Sequence, residues 1–161
     1  MELQRSTYAQ PPMKFEAGTP AIAEVVGLGY ACDYLTSIGM QRVHEHELAL
    51  GRYLYERLAT VEGLDLYGPP PAGSPGERTL RAGLVAFNAK GLHASDLAFF
   101  IDQEGVAIRT GHHCAQPLHK VLGVSSSARA SLYFYNNQDD VDGFIQKLEG
   151  VIQMFKSLNF N

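Results

Sequence analysis

The stretch ARASLYFY, Ala128 to Tyr135, alternates without a break. In an extended chain Ala128, Ala130, Leu132 and Phe134 fall on one side, and Arg129, Ser131, Tyr133 and Tyr135 on the other. Such a strand has one apolar face to bury and one polar face to leave open. It belongs in a sheet covered on one side, and antiparallel sheets tolerate that arrangement. The elements that cover it must carry apolar stripes at helical period.

Those stripes are present. Val141, Phe144, Ile145, Leu148, Val151, Ile152 and Phe155 form one near the C-terminal end. Its helix is expected to open near Asn137, with Asp139 and Asp140 in a first turn where acids suit the helix dipole. Val43, Leu50, Leu54, Leu58 and Val61 form a second stripe, in a helix from about Gln41 to Val61. A third helix, about Ser95 to Gln103, turns Leu97, Phe100 and Ile101 inward. Earlier still, Thr19-Pro20 reads as an N-cap and first helical position. Ala21, Val25, Leu28, Cys32 and Leu35 follow as one stripe, and Gly39 ends the helix. Short strands are expected at Leu64–Gly68, Ala82–Asn88 and Val106–Arg109, and one or two helical turns at Leu118–Gly123. Pro69–Thr79 is a loop, and Tyr8–Pro20 an extended connecting segment. The expected fold class is α+β, with helices stacked on one face of a mostly antiparallel sheet.

The 161 residues suffice for a real core, and a net charge of −4 with scattered Lys and Arg argues against nucleic acid or an anionic membrane as partner. No apolar run approaches the roughly 20 residues that span a bilayer. The first residues carry no visible signal or transit segment. Two cysteines, Cys32 and Cys114, make no disulfide framework, so a reducing compartment is expected.

Chemistry concentrates in RTGHHCAQP, Arg109 to Pro117. His112, His113 and Cys114 are consecutive, and in an extended chain three neighbours rarely close on one tetrahedral ion, so no metal is expected. Cys32, on a helix stripe, fits a small buried hydrophobe. Cys114 sits in a polar loop with Arg109 five residues before it, where positive charge favours the nucleophilic thiolate. Arg129, on the polar face of its strand, is either a solvated residue or a bidentate carboxylate holder. FEAGTP, Phe15–Pro20, is either a capped helix entry or a backbone seat for phosphate.

FEAGTP, RTGHHCAQP and ARASLYFYN, in this order and spacing, resemble the SufS-type (group II) cysteine desulfurases, fold-type I pyridoxal-phosphate enzymes of the class V aminotransferases. The likeness runs over essentially the whole chain and includes GLGYACDYLTSIGM, LDLYGP and DDVDGFI. It implies that sulfur from L-cysteine passes to Cys114 as a persulfide, releasing alanine, and then to a SufE-like acceptor protein for iron–sulfur cluster assembly. It implies that Arg129 and Arg109 bind substrate. It implies that Thr19 and Gly18 reach the phosphate of pyridoxal 5'-phosphate in the other subunit of a homodimer. His112 and His113 take only motif positions that shape the loop. The family's Schiff-base lysine lies in an upstream motif, and none of Lys14, Lys90, Lys120, Lys147 and Lys156 has that context. The chain therefore resembles the C-terminal portion of a longer enzyme, incomplete on its own. Residues 1–39 would be a connecting segment and bridging helix packed on a large domain, and residues 40–161 a small C-terminal domain carrying the cysteine. Cytoplasm or plastid stroma is the expected location. Selenocysteine lyase, and a non-catalytic partner-binding fragment, are the alternatives.

Overall fold

The alternating segment forms β4, Ser127–Ser131, in a four-stranded antiparallel sheet. The computed structural model describes residues 4–71 and 81–158. The other strands are β1 (Leu64–Tyr67), β2 (Leu84–Ala89) and β3 (Arg109–Gly111), and their spatial order is β1-β2-β4-β3. The helices are α1 (Ile22–Ile38), α2 (Met40–Thr60), α3 (Ala94–Gln103), α4 (Gln116–Leu122) and α5 (Gln138–Leu158). The chain divides into two compact units, Met1–Met40 and Gln41–Asn161.

Register assigns the two faces of the sheet. Val85 pairs with Ala130 and Phe87 with Ala128, while Leu66 lies opposite Phe87. These side chains share a face, and α2, α3 and α5 cover it. Leu54, Leu58, Leu97, Ile101, Ile145 and Leu148 pack there with Val85 and Phe87, all of them fully buried. Removing a large apolar side chain from water contributes about 1.5–3 kcal/mol, so this layer is the main source of cohesion. Gly51 permits the close approach: a Cβ there would lie 3.1 Å from the Gly83 Cα. The opposite face carries Asp65, Tyr67, Ala86, Asn88, Arg109, Ser127, Arg129 and Ser131, and apart from Ser127 none of them is buried.

The α5 start is fixed locally. The Asn137 side-chain oxygen accepts from the Asp140 N–H at 3.1 Å, and the Asp140 carboxylate accepts from the Asn137 N–H at 3.0 Å. That reciprocal pair is a capping box with Asp in the third position.

Several expected boundaries move. The alternation continues to Tyr135, but β4 stops at Ser131. Leu132 N–H still reaches the Gly83 carbonyl, after which the Asn136 side chain takes the Tyr133 N–H at 2.9 Å and Asn136 N–H bonds the Tyr133 carbonyl. This turn reverses the chain. β3 begins at Arg109, three residues late, because the Val106 N–H is held by the Ile101 carbonyl at the end of α3. The first helix begins at Ile22 with Ala21, not Thr19, at its cap, and no side chain caps it. A tight bond from Ile22 N–H to the Pro20 carbonyl precedes it, and Gly39 ends it with its N–H on the Leu35 carbonyl. α1 lacks the single buried stripe expected of it. Ile22, Val26 and Tyr30 put apolar surface outside the Val25–Leu28–Leu35 line, and no residue of α1 is buried. Cys32, expected to be shielded on that stripe, is exposed. The Pro69–Thr79 loop falls largely outside the described residues.

Candidate active site

β3 and β4 place Arg109 directly opposite Arg129 on the open face of the sheet. Two guanidiniums in register repel, and like charges at such a position destabilise the pair. Among the described residues neither has an acidic partner. The Arg129 Nε donates to the Ser131 hydroxyl at 3.1 Å. That bond leaves the terminal nitrogens as a planar fork for a carboxylate.

Immediately after β3 the chain turns through His112, His113, Cys114 and Ala115 into α4. The segment is a loop, as expected from sequence, and it turns rather than running extended. His113 has φ +50° and Cys114 φ +61°, both left-handed. Non-glycine residues there each cost on the order of 1–3 kcal/mol and persist only where the surroundings hold them. The turn closes with Ala115 N–H on the His112 carbonyl at 2.8 Å. Cys114 is exposed at its tip.

Two imidazoles hold this turn, and both reach Ser127 on β4. The His113 Nε2 lies 3.1 Å from the Ser127 carbonyl. The His119 Nε2 lies 3.0 Å from the Ser127 hydroxyl, and its Nδ1 lies 3.1 Å from the Ala115 carbonyl. Among the described residues His119 and Ser127 are the buried polar side chains, at 4% and 1% exposure. The His112 ring stands edge-on to His119 with centroids 5.4 Å apart. Burial depresses the His113 pKa. Its bond to the Ser127 carbonyl opposes that shift, while the charges of Arg129, His119 and Arg109 add to it. The His113 Nδ1 is buried without a partner, which suits a neutral ring.

Ser127 and Arg129 are two residues apart on one strand face, about 7 Å along the strand. The anchor of the cysteine turn and the carboxylate fork are therefore neighbours. Of the residues singled out from sequence, Cys114, His112, His113, Arg109 and Arg129 come together at this end of the sheet. Gly18, with φ +79° and open space around it, and Thr19, exposed, belong to the other compact unit. Sequence reasoning passed over Ser127, Ser131 and the structural part of His119. The available signal was that Ser127 and Ser131 share a strand parity with Arg129. Among the described residues no group of three His, Cys, Asp or Glu side chains is placed to hold a metal ion, and no helix is long and apolar enough to cross a membrane.

The family model for aminotransferase class-V matches residues 1–144. A protein of Synechocystis sp. described as "Probable cysteine desulfurase" is 51% identical over 154 residues, covering 96% of this chain and 36% of that protein. One of the same description from Staphylococcus epidermidis is 49% identical over 150 residues, covering 93% and 35%. Among solved structures, the cysteine desulfurase CsdA from Escherichia coli aligns with a TM-score of 0.78 at 30% identity, over 96% of this chain and 36% of that one. The apo cysteine desulfurase of Thermococcus onnurineus NA1 aligns with a TM-score of 0.77 at 36% identity, over 94% and 36%. The chain thus spans about a third of the length of the curated relatives it matches. With a match through residues 1–144, this chain belongs to the aminotransferase class-V family, whose cofactor is pyridoxal phosphate.

Proposed function

We propose that this chain is the sulfur-accepting, C-terminal portion of a SufS-type cysteine desulfurase. The observation that carries the reading is the juxtaposition on β3, β4 and the turn between β3 and α4: an acid-free arginine pair beside an exposed cysteine on a braced turn. L-cysteine seats its carboxylate on Arg129 and Arg109. Held at that end, a molecule of this size brings its thiol toward the turn. The Cys114 thiolate attacks the substrate sulfur, and an S–S bond forms as the substrate C–S bond breaks. The electron pair goes to the substrate carbon, which takes a proton and leaves as alanine. Cys114 keeps the transferred sulfur as a persulfide, so atoms and electrons balance without an external oxidant.

Pyridoxal phosphate, when bound, supplies the electron sink that lets the C–S bond break. This chain's contribution to its phosphate is the open backbone at Gly18 and the exposed Thr19, offered to the cofactor of the second subunit of a homodimer. Lys90 and Lys156 are exposed and ion-paired with Asp65 and Glu62, which does not suit a lysine bound covalently to the cofactor. That lysine is assigned to a large domain against which residues 1–39, with their unburied helix α1, would pack. Residues 40–161 are then the small domain. The persulfide passes to a SufE-like protein for iron–sulfur cluster assembly. Leu118 and Val121, exposed on α4 beside Cys114, give that protein an apolar landing.

A chimera tests this. The chain replaces the matched third of the Synechocystis relative, and the product is given L-cysteine. Stoichiometric alanine with one added sulfur on the Cys114 peptide is expected, and Cys114→Ser should abolish both. Alanine release at an undiminished rate in the serine variant would overturn the assignment. A large preference for selenocysteine over cysteine would move it to selenocysteine lyase.

A further inference from the structure

We propose that His119 is a positioning residue for Cys114, acting with Ser127 to hold the cysteine turn in its left-handed conformation. The inference deepens the proposed function by naming what fixes the accepting thiol. Cys114 is flanked by two residues that are each tied to the same point of β4. On one side, His113 reaches the Ser127 carbonyl at 3.1 Å. On the other, the Ala115 carbonyl accepts the His119 backbone N–H at 3.2 Å and lies 3.1 Å from the His119 Nδ1, and the same ring bonds the Ser127 hydroxyl at 3.0 Å, so that the side chain links this end of the turn to β4. Ser127 is itself fixed in the sheet opposite Gly111, the last residue before the turn. The turn is thus clamped at its start, at His113 and at Ala115, while the thiol stays exposed.

Donor and acceptor chemistry then assigns the tautomers. A carbonyl only accepts, so the His119 Nδ1 carries the proton toward Ala115. In the neutral ring its Nε2 is then the acceptor, and the Ser127 hydroxyl donates to it. The same rule places the His113 proton on Nε2, facing the Ser127 carbonyl. The two histidines of one brace therefore hold opposite tautomers, a requirement that simple space filling would not impose. Losing either bond removes a restraint on two consecutive residues that do not adopt this conformation by themselves.

Nitrogen-15 NMR of the full 161-residue chain above pH 7.5 tests this without any enzymatic activity. His119 should show the Nδ1-protonated form and His113 the Nε2-protonated form. The amide-to-α-proton couplings of His113 and Cys114 should report positive φ. His119→Ala should abolish that signature at Cys114 while the β2–β4 amides stay protected from exchange. His119→Asn, which can still donate to the Ala115 carbonyl, should restore part of it. If His119→Ala does not fold, Ser127→Ala removes only the hydroxyl and decides the matter: it should still fold and lose the signature. The same tautomer at both histidines, a left-handed Cys114 surviving in folded His119→Ala, or one surviving in Ser127→Ala where His119→Ala does not fold, would overturn the proposal. Failure of persulfide formation in the chimera with the NMR pattern intact would instead overturn the desulfurase reading alone.

Discussion

The two faces of one sheet follow different rules. On the covered face every side chain has found apolar company, and Val85, Phe87 and Ala128 are fully buried. On the open face two arginines are set against each other, a serine receives two histidines, and the next turn occupies a conformation that costs energy. The same backbone hydrogen bonds serve both. Stability comes from one side of the strands and is partly given up on the other. A substitution should therefore affect either folding or chemistry, according to the parity of its position.

The largest expected effect is on the covered side. Phe87→Ala should cost about 3–5 kcal/mol in denaturant unfolding, through lost transfer energy and the cavity left against Phe144. A cost below about 1 kcal/mol would mean that the sheet is not held by this layer. One step across β4 the balance reverses. Arg129→Ala should weaken carboxylate binding in the chimera by about 1.5–3 kcal/mol, the worth of hydrogen bonds to a charged group. The same change should stabilise the free chain slightly, by about 0.2–1 kcal/mol, since it removes one of two opposed like charges. Loss of stability together with loss of binding would erase the distinction between the faces.

The open face also predicts a dependence on pH. The folded-state pKa of His113 is depressed, chiefly by burial, with Arg129, His119 and Arg109 adding to it. An unfolded histidine titrates near 6.5. As pH falls below about 6.5 the unfolded chain takes up a proton that the folded chain resists, so stability declines and goes on declining until the folded pKa is passed. His113→Gln should flatten that part of the unfolding-versus-pH curve, and an unchanged slope would remove His113 as its cause. The smallest effect belongs to the edge. Asp65→Asn breaks an exposed 3.7 Å pair with Lys90 and should stay within about 0.5 kcal/mol of zero.

What could be read from sequence divides along the same line. The covered face is periodic, so Val43, Leu50, Leu54, Leu58 and the α5 stripe could be assigned to the core by spacing alone. The end of β4 could not be. The alternation runs on through Phe134, and only the Asn136 side chain taking the Tyr133 N–H stops the strand. At the site, Cys114, Arg109 and Arg129 could be picked out by residue type and motif. The brace could not, because it depends on His119 of α4 meeting Ser127 across eight residues and a change of direction. The left-handed pair at His113 and Cys114 is hidden for a related reason: neither is the glycine that usually marks such a turn. Cys32 shows the opposite failure. Its spacing gave a stripe, but in α1 apolar residues surround the helix and none of them is buried.

That property of α1 has a calorimetric consequence. A helix of 17 residues with no buried side chain, where a Cβ added at Gly27 or Gly29 would meet nothing within 4 Å beyond the helix's own neighbouring backbone, draws little from packing. Its order rests on helix–coil equilibrium, which at this length is marginal in water. On heating, its ellipticity should fade gradually over a broad range, with little latent heat and almost no heat-capacity step, since it exposes almost no new apolar surface as it melts. The unit Gln41–Asn161, which does bury such surface, should give the single sharp endotherm. A scan of the whole chain would then show a van't Hoff enthalpy from helical signal well below the calorimetric one, a mismatch caused by one unburied helix.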